Sequence, residues 1–481
     1  MRLDKSGRFL AYGAGLALFA WFVFVTRAGL TCWFDGDDVM NLHYYWSRPW
    51  PALLKANLFF WSSYYRPAGG LFYRSIFAVW GFHPLPFRIA ALALLYLNFA
   101  LLAIVVRQLT ESRWAALLAL MVVGINPAFS AAYFDTGSIY DVLAYAFFWG
   151  AFALYVHIRQ AGRIPCAGHL ALLLCLFAAA LNSKEISISL PVAVMLYELV
   201  WHRPTNWTPA GLWHWTCHQG RFAAIGALFD IVYIAGKRYG PNSLWAVDAY
   251  RPHYSVAAYF QSLSHYLQEL IVRPVTISSF EMAVLLAVMT LLAVVARRRC
   301  LIWGVGFILA GVLPLAFIPG RGGFAYLVPS VGWAVYFAGL LSWLLEALTG
   351  DRARVRWVAQ SALLALLFIV LAPSQRRYIE MNAKAAQDLE GVLQNRFLLY
   401  QGQIHSLIPA PRKGARILLL SDADGRDDYG IYMLIRLLYL DPLLQPVRMS
   451  VWKEQHLQVD QSSFDYVLDW ADGKFVLVGH K

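Results

Sequence analysis

About eleven stretches of this chain are apolar for long enough to need a hydrocarbon solvent, and their succession constrains the fold more than any motif does. Crossing ~30 Å of hydrocarbon takes about 20 helical residues, and shorter runs are tolerated inside a bundle. The candidate spans are Phe9–Gly29, Pro86–Val106, Trp114–Ala131, Tyr140–His157, His169–Leu181, Ile186–Trp201, Phe222–Ala235, Phe280–Ala296, Leu301–Ile318, Ala325–Leu345 and Trp357–Ala372. Charged residues make up 14% of the chain, against roughly 25% in soluble domains, so water alone cannot be its solvent. Trp33, Trp80, Trp114, Trp201 and Trp357 stand beside span ends, where amphipathic rings favour the headgroup layer. The predicted fold class is an α-helical polytopic membrane protein.

The net charge of +12 records topology and is not a nucleic-acid signal. Connections carrying Arg2, Lys5 and Arg8, then Arg107 and Arg113, Arg159 and Arg163, Arg203 and Arg221, Arg297 to Arg299, and Arg352, Arg354 and Arg356 alternate with others, of which the short ones hold almost no positive charge, Lys184 and Arg321 being the exceptions. Positive residues stay inside, which places the N-terminus in the cytoplasm. An odd number of spans then sends the C-terminal region to the other side. The first span follows a basic start, as a secretory signal does, but no small-residue cleavage site follows it, so it reads as a retained helix. The five cysteines show neither a disulfide framework nor metal-ligand spacing.

Three connections on the outer side carry chemistry. "TCWFDGDDVMNLHYYW" places Asp35, Asp37 and Asp38 just after the first span. Ionised carboxylates there cost several kcal/mol unless they are paired or functional. In the purely structural alternative Asp38 caps the helix that follows, while Asp35 and Asp37 are simply hydrated. The same loop holds Arg66 and Arg74 in "YYRPAGGLFYRS". The second connection, "FDTGSIYD", brings Asp135 and Asp141 to the entry of the fourth span, where either could cap a helix. In the third, Lys184 and Glu185 stand side by side. They can neutralise each other, or Lys184 can serve as a compact cation for a lipid phosphate. A long later connection carries Arg251 and His253 beside a proline turn. Asp35, Asp37 and Asp38 also offer hard oxygen ligands to a divalent cation such as Mg or Mn.

From about Ser374 the chain turns polar. Residues 375–408 read as one amphipathic helix leaving the membrane. "ARILLLSD" and "FDYVLDW…GKFVLVG" read as strands around a helical "YGIYMLIRLLYL", giving a small α/β domain over 374–481 beside a membrane domain over 1–373. The acidic "SDADGRDD" lacks the spacing of an EF-hand and reads as a solvated turn.

Taken in order, these elements resemble the GT-C glycosyltransferases that use a polyprenyl-phosphate sugar, among them protein O-mannosyltransferases and lipid A aminoarabinose transferases. The resemblance covers roughly residues 1–345. The acidic motif after the first span matches Asp37 and Asp38, "YRP" matches Tyr65, Arg66 and Pro67, and the second-loop acid matches Asp141. Lys-Glu before an apolar span and a proline matches Lys184, Glu185 and Pro191, and a late element matches Arg321, Tyr326, Pro329 and Gly332. The arginine that often precedes the second-loop acid is absent. The resemblance implies sugar transfer from a polyprenyl-phosphate donor to an extracytoplasmic protein, lipid or glycan, in the cell inner membrane, with the C-terminal domain periplasmic or extracellular. It makes Asp37, Asp38 and Asp141 candidate catalytic acids, with Asp37 the base. Lys184, Arg321, Arg251 and His253 become donor-phosphate ligands, and Arg66 and Glu185 accessory residues. A different class, a transporter or flippase of a lipid-linked sugar, would line a path with charges and carry inverted repeats. No repeat relates the two halves, and the acids gather at one face.

Overall fold

The structure is a computed structural model and describes residues 5–61, 65–239, 251–272, 275–350, 352–421, 430–450 and 460–480. Helix α1 (Lys5–Thr26) ends in a 3-10 turn and leads into three short helices, α2 (Gly36–Trp46), α3 (Trp50–Leu58) and α4 (Pro67–Trp80). Then follow α5 (Pro84–Thr110), α6 (Arg113–Ala119), α7 (Ser130–Phe134), α8 (Ile139–Gln160), α9 (Ala167–Ser183), α10 (Leu190–Trp201), α11 (Pro209–His218), α12 (Arg221–Tyr239) and α13 (Val256–Ile271). The membrane part closes with α14 (Ser279–Ala296), α15 (Arg299–Gly311), α16 (Ser330–Thr349) and the start of α17 (Ala353–Leu407).

This is a multi-pass helical membrane protein. Among the described residues, six helical segments, built on α1, α5, α8, α14, α16 and α17, are long and apolar enough to cross a bilayer. A seventh crossing is bent: residues 113–124 turn by 56° into 127–134. Of the other expected spans, Phe222–Ala235 falls on α12, which has 19 residues but is not among the helices apolar enough to cross, and the remaining three fall largely on short helices. Helices α9 and α15 are apolar and under 18 residues, and α10 has 12 residues, about 18 Å at 1.5 Å per residue. They are short because the chain unwinds beside them, at Glu185–Ser189 and over 312–318. Irregular backbone at that depth is tolerated only where protein buries it or where it borders a cavity. Both unwound segments border the same cavity.

Helix α17 runs unbroken for 55 residues through Pro373, so the last apolar segment and the polar helix after it are one rod. At its far end sits a four-stranded sheet of order β2-β1-β3-β4, formed by β1 (Arg416–Leu419), β2 (Gln445–Arg448), β3 (Tyr466–Ala471) and β4 (Lys474–His480). Strands β1/β2 and β1/β3 are parallel, and β3/β4 antiparallel. Helix α18 (Gly430–Leu438) covers the sheet and also packs on α2. Strand β2 was not foreseen. It is short and contains Pro446, which lacks an N–H and is tolerated because β2 lies at the sheet edge. The acidic turn Asp422–Asp428 lies outside the described residues.

Candidate functional site

The acid loop folds around its own helix cap. Asp35 is the N-cap of α2: its Oδ1 accepts the Asp38 N–H at 2.7 Å, and Asp38 Oδ2 accepts the Asp35 N–H at 3.2 Å. This reciprocal box satisfies two of the donors that a helix start leaves open. The cap is therefore Asp35, with Asp38 as its partner. Asp38 is fully buried, and the Tyr73 hydroxyl of α4 donates to its Oδ1 at 2.6 Å. Asp37, one position earlier in the first turn, is exposed, takes no part in this box and lines two cavities.

The turn after α7 supplies a second acid. Asp135 Oδ1 accepts the Gly137 N–H at 2.6 Å. A Cβ on Gly137 would lie 3.0 Å from that oxygen and 3.4 Å from the Asp37 Cβ, so glycine lets the turn nest against the acid loop. The result is a cluster in which oxygens of Asp35, Asp38 and Asp135 lie within 4.8 Å of one another. Three oxygen donors this close fit a hard divalent cation. The expected group differs by one member: Asp135 joins Asp35 and Asp38, and Asp37 is not among the three. Burial, and then the neighbouring Asp135 carboxylate, push Asp35 up to about 8. Burial and then Asp38 push Asp135 up to about 7. Burial and Asp35 raise Asp38 well above the usual carboxylate range.

A stability prediction follows from these directions. Below the ordinary value of 3.8, the folded and unfolded chains both carry the protons. Between 3.8 and about 7 to 8 only the folded chain holds them, so raising the pH through that window removes stability, and above it the loss levels off. In chelator-treated protein the melting temperature is expected to fall between pH of about 5 and about 8. Asp135→Asn should flatten that slope, and added Mg or Mn should offset the loss at the alkaline end. A melting temperature independent of pH across this window would show that the cluster does not hold its protons.

On the other side of Asp37 lies a cavity of about 290 Å³. The neighbours Lys184 and Glu185 do not neutralise each other there. The Lys184 ammonium pairs with Asp141 of α8, and Glu185 takes a two-pronged contact from Arg66, 2.9 Å from Nη2 and 3.3 Å from Nε. Lys184 is extended, at φ −159° and ψ 149°, and successive side chains of extended backbone point to opposite sides. Burial raises the Glu185 carboxyl, but Arg66 and then Lys237 outweigh it and hold it down at about 2. Arg66 occupies the left-handed region (φ 35°, ψ 64°) before Pro67, a conformation that costs about 1–3 kcal/mol in a non-glycine residue. It is held from both ends: the Tyr45 hydroxyl lies 2.8 Å from the Tyr65 carbonyl and 3.2 Å from that of Arg66, and Glu185 grips the guanidinium. The next turn of α4 lies so close to its neighbours that a Cβ on Gly69 would fall 2.1 Å from the Tyr140 ring.

The structure thus brings Asp37, Arg66, Asp135, Asp141, Lys184, Glu185 and Arg321 around one cavity, from positions 37 to 321 of the chain. Lys184 also lies 5.3 Å above the Phe324 ring, and the Arg321 carbonyl lies 2.8 Å from His265 Nε2. Asp38 stands behind the wall. Arg251 and His253 are exposed and outside this lining. The His253 N–H donates to the Phe317 carbonyl at 2.6 Å, which ties the start of the α13 segment to the turn after α15. Sequence reasoning missed two supports. Tyr140 donates to Asn41 Oδ1 at 2.7 Å, linking α8 to α2. Arg88 of α5 and Glu390 of α17 form a buried pair at 3.0 Å that grips the backbone just before the acids: Glu390 accepts the Trp33 N–H at 2.8 Å, and Arg88 donates to the Trp33 carbonyl at 2.7 Å.

No protein-family model matches the chain, and no curated protein matches it in sequence. Among solved structures it is similar to the crystal structure of ArnT from Cupriavidus metallidurans bound to undecaprenyl phosphate, at 14% identity and a TM-score of 0.46, over 98% of this chain and 94% of that one.

Proposed function

We propose that this protein is an integral membrane glycosyltransferase that moves a sugar from a polyprenyl-phosphate donor to an acceptor on the non-cytoplasmic side. The observation that carries this reading is the cavity whose lining holds Arg66, Lys184 and Arg321 together with the exposed Asp37. Transfer from a lipid phosphate needs cations where the departing phosphate gains charge and a base where the acceptor loses its proton. The three cations bind the phosphate. Asp141 and Glu185 hold Lys184 and Arg66 in place, so little reorganisation is needed when charge develops. Asp37 takes the acceptor proton. A divalent cation, held by Asp35, Asp38 and Asp135, would neutralise the acid cluster behind Asp37 and stiffen the loop that carries it. The N-terminus is cytoplasmic, and the α/β domain lies on the opposite side with the site, which reporter fusions at the two ends read directly.

Lys184 separates donor binding from scaffolding. Lys184→Met removes a phosphate ligand and also strands the buried Asp141 carboxylate, so the single variant should lose both donor affinity and stability. Adding Asp141→Asn should restore most of the melting temperature but not the affinity for undecaprenyl phosphate in nanodiscs, which is expected to stay roughly tenfold or more weaker, as for one lost charge-assisted hydrogen bond. Normal affinity in the double variant would remove Lys184 from the donor site.

A further inference from the structure

Between α1 and α17 lies a groove of about 780 Å³ that shares no lining residue with either cavity bordered by Asp37. It belongs to the bilayer side of the bundle, because the apolar stretch of α17 is only 6% buried. One face of α17 sorts the lining by depth. Phe368, Ile369, Ala372 and Pro373 stand in or beside the apolar stretch, and Arg376, Arg377, Glu380 and Lys384 follow at helical spacing. From Ile369 to Lys384 is about 22 Å at 1.5 Å per residue. Trp21 of α1 lines the apolar end, its ring edge-on to Phe368 at 5.7 Å. Beside the polar end is a second hollow of about 440 Å³ that Arg27 and Thr31 help to line, and Glu380 belongs to both.

The charges there do not balance. Arg27, Arg376, Arg377 and Lys384 share the two linings with a single acid, Glu380. Glu380 is taken by Arg376 at 2.8 Å, which leaves Arg377 and Lys384 with no ion pair among the described residues, Asp388 one turn further on included. Arg27 and Arg376 both lie over the Phe24 ring, at 3.8 and 5.7 Å, so two like charges are held at one aromatic side chain. Arginine at a span end also reaches for water of its own accord, but that does not collect four cations around one apolar groove. On the topology proposed above they stand on the non-cytoplasmic side, where the positive-inside tendency does not place them.

We infer that this groove binds an anionic glycerophospholipid of the bilayer, its phosphate among Arg376, Arg377 and Lys384 and its acyl chains along Trp21, Phe368 and Ile369. The inference is independent of the sugar-transfer reading. Charge complementarity selects the headgroup, at about fivefold per Lys or Arg near an anionic lipid surface. The apolar end selects a lipid over a free anion, and a groove at the edge of the bundle is filled from the bilayer, where glycerophospholipid is the solvent. The bound lipid bridges α1 and α17, whose Gln387 and Glu390 hold Thr31 and Trp33 at the entry to the acid loop.

The test is photolabelling of the full-length protein in phosphatidylcholine nanodiscs that carry a trace of diazirine-bearing phosphatidylglycerol or of the matched phosphatidylcholine. The phosphatidylglycerol probe is expected to label the 365–373 segment of α17 and the 17–25 segment of α1 roughly tenfold more than its neutral counterpart does. Arg377→Gln with Lys384→Gln should remove most of that excess without changing the labelling of α14, another bilayer-facing helix. Both side chains are exposed, so the melting temperature in pure phosphatidylcholine should stay that of the parent. Ile369→Trp, at an exposed position of the apolar end, obstructs the groove and gives the same loss should the double variant fail to fold. Equal labelling of these segments by the two probes, or an excess that survives in a folded variant, overturns the inference. So does displacement of the probe by inorganic phosphate or undecaprenyl phosphate where unlabelled phosphatidylglycerol fails to displace it, since the site would then belong to a free anion or to a polyprenyl lipid.

Discussion

Replacing Asp37 with asparagine is expected to lower sugar transfer by roughly 10² or more, the scale on which a general base contributes, while folding and donor affinity stay near normal. The side chain keeps its size and loses its basic oxygen. Geometry favours Asp37 over its neighbours. Asp35 and Asp38 are engaged in the helix cap, and Asp38 is buried under Tyr73. Asp141 is committed to Lys184. Asp37 is exposed, caps nothing among the described contacts, and borders both cavities. The contrasting variant is Asp38→Asn, which disturbs the box with Asp35 and should act mainly on stability. The assay is transfer from a polyprenyl-phosphate sugar by purified protein, with melting temperature and donor affinity measured on the same preparation. A well-folded Asp37→Asn protein of undiminished activity would defeat the assignment of the base.

Removing either member of the Arg88–Glu390 pair is expected to cost about 3–5 kcal/mol, because each side chain is about 3% exposed and its partner would be left as an uncompensated buried charge. The pair also satisfies the backbone of Cys32 and Trp33, and each such group left unsatisfied in a buried site costs about 1–3 kcal/mol. Arg88→Met and Glu390→Met should therefore each destabilise strongly. The double variant should recover part of the loss, the part due to the stranded charge, and not the part due to the orphaned peptide groups. Unfolding in a denaturing-detergent titration reads all three. Single variants within about 1 kcal/mol of the parent would mean that water reaches this pair and that α17 does not clamp the acid loop.

The placement of the apolar helices was legible because partition into hydrocarbon is a property of a continuous stretch, and a stretch is what a sequence displays. The sheet strands β1, β3 and β4 and helix α18 were legible for a related reason, since β-rich runs and a helical periodicity are local patterns. Asp37 and Lys184 could be singled out because charge beside a span is expensive and so rarely incidental, and Asp141 and Arg321 through the motifs that resemble the glycosyltransferases. Which acids stand together was not legible. Asp135, as plausible a cap as a site residue in the sequence, joins Asp35 and Asp38 across a gap of about a hundred residues, and only the nesting of the Gly137 turn on α2 decides it.

Hydropathy along the chain was enough to show a bundle of apolar helices followed by a polar segment, and which charged residues needed explaining. Tertiary structure alone decided their partners. Lys184 and Glu185 are adjacent and of opposite sign, yet each pairs with a residue at least 43 positions away. Glu390 reaches back 357 positions to hold Trp33. The reason is physical: hydropathy and helix periodicity act along the chain, whereas a buried charge is satisfied by whatever oxygen or nitrogen the packing of separate helices brings within about 3 Å.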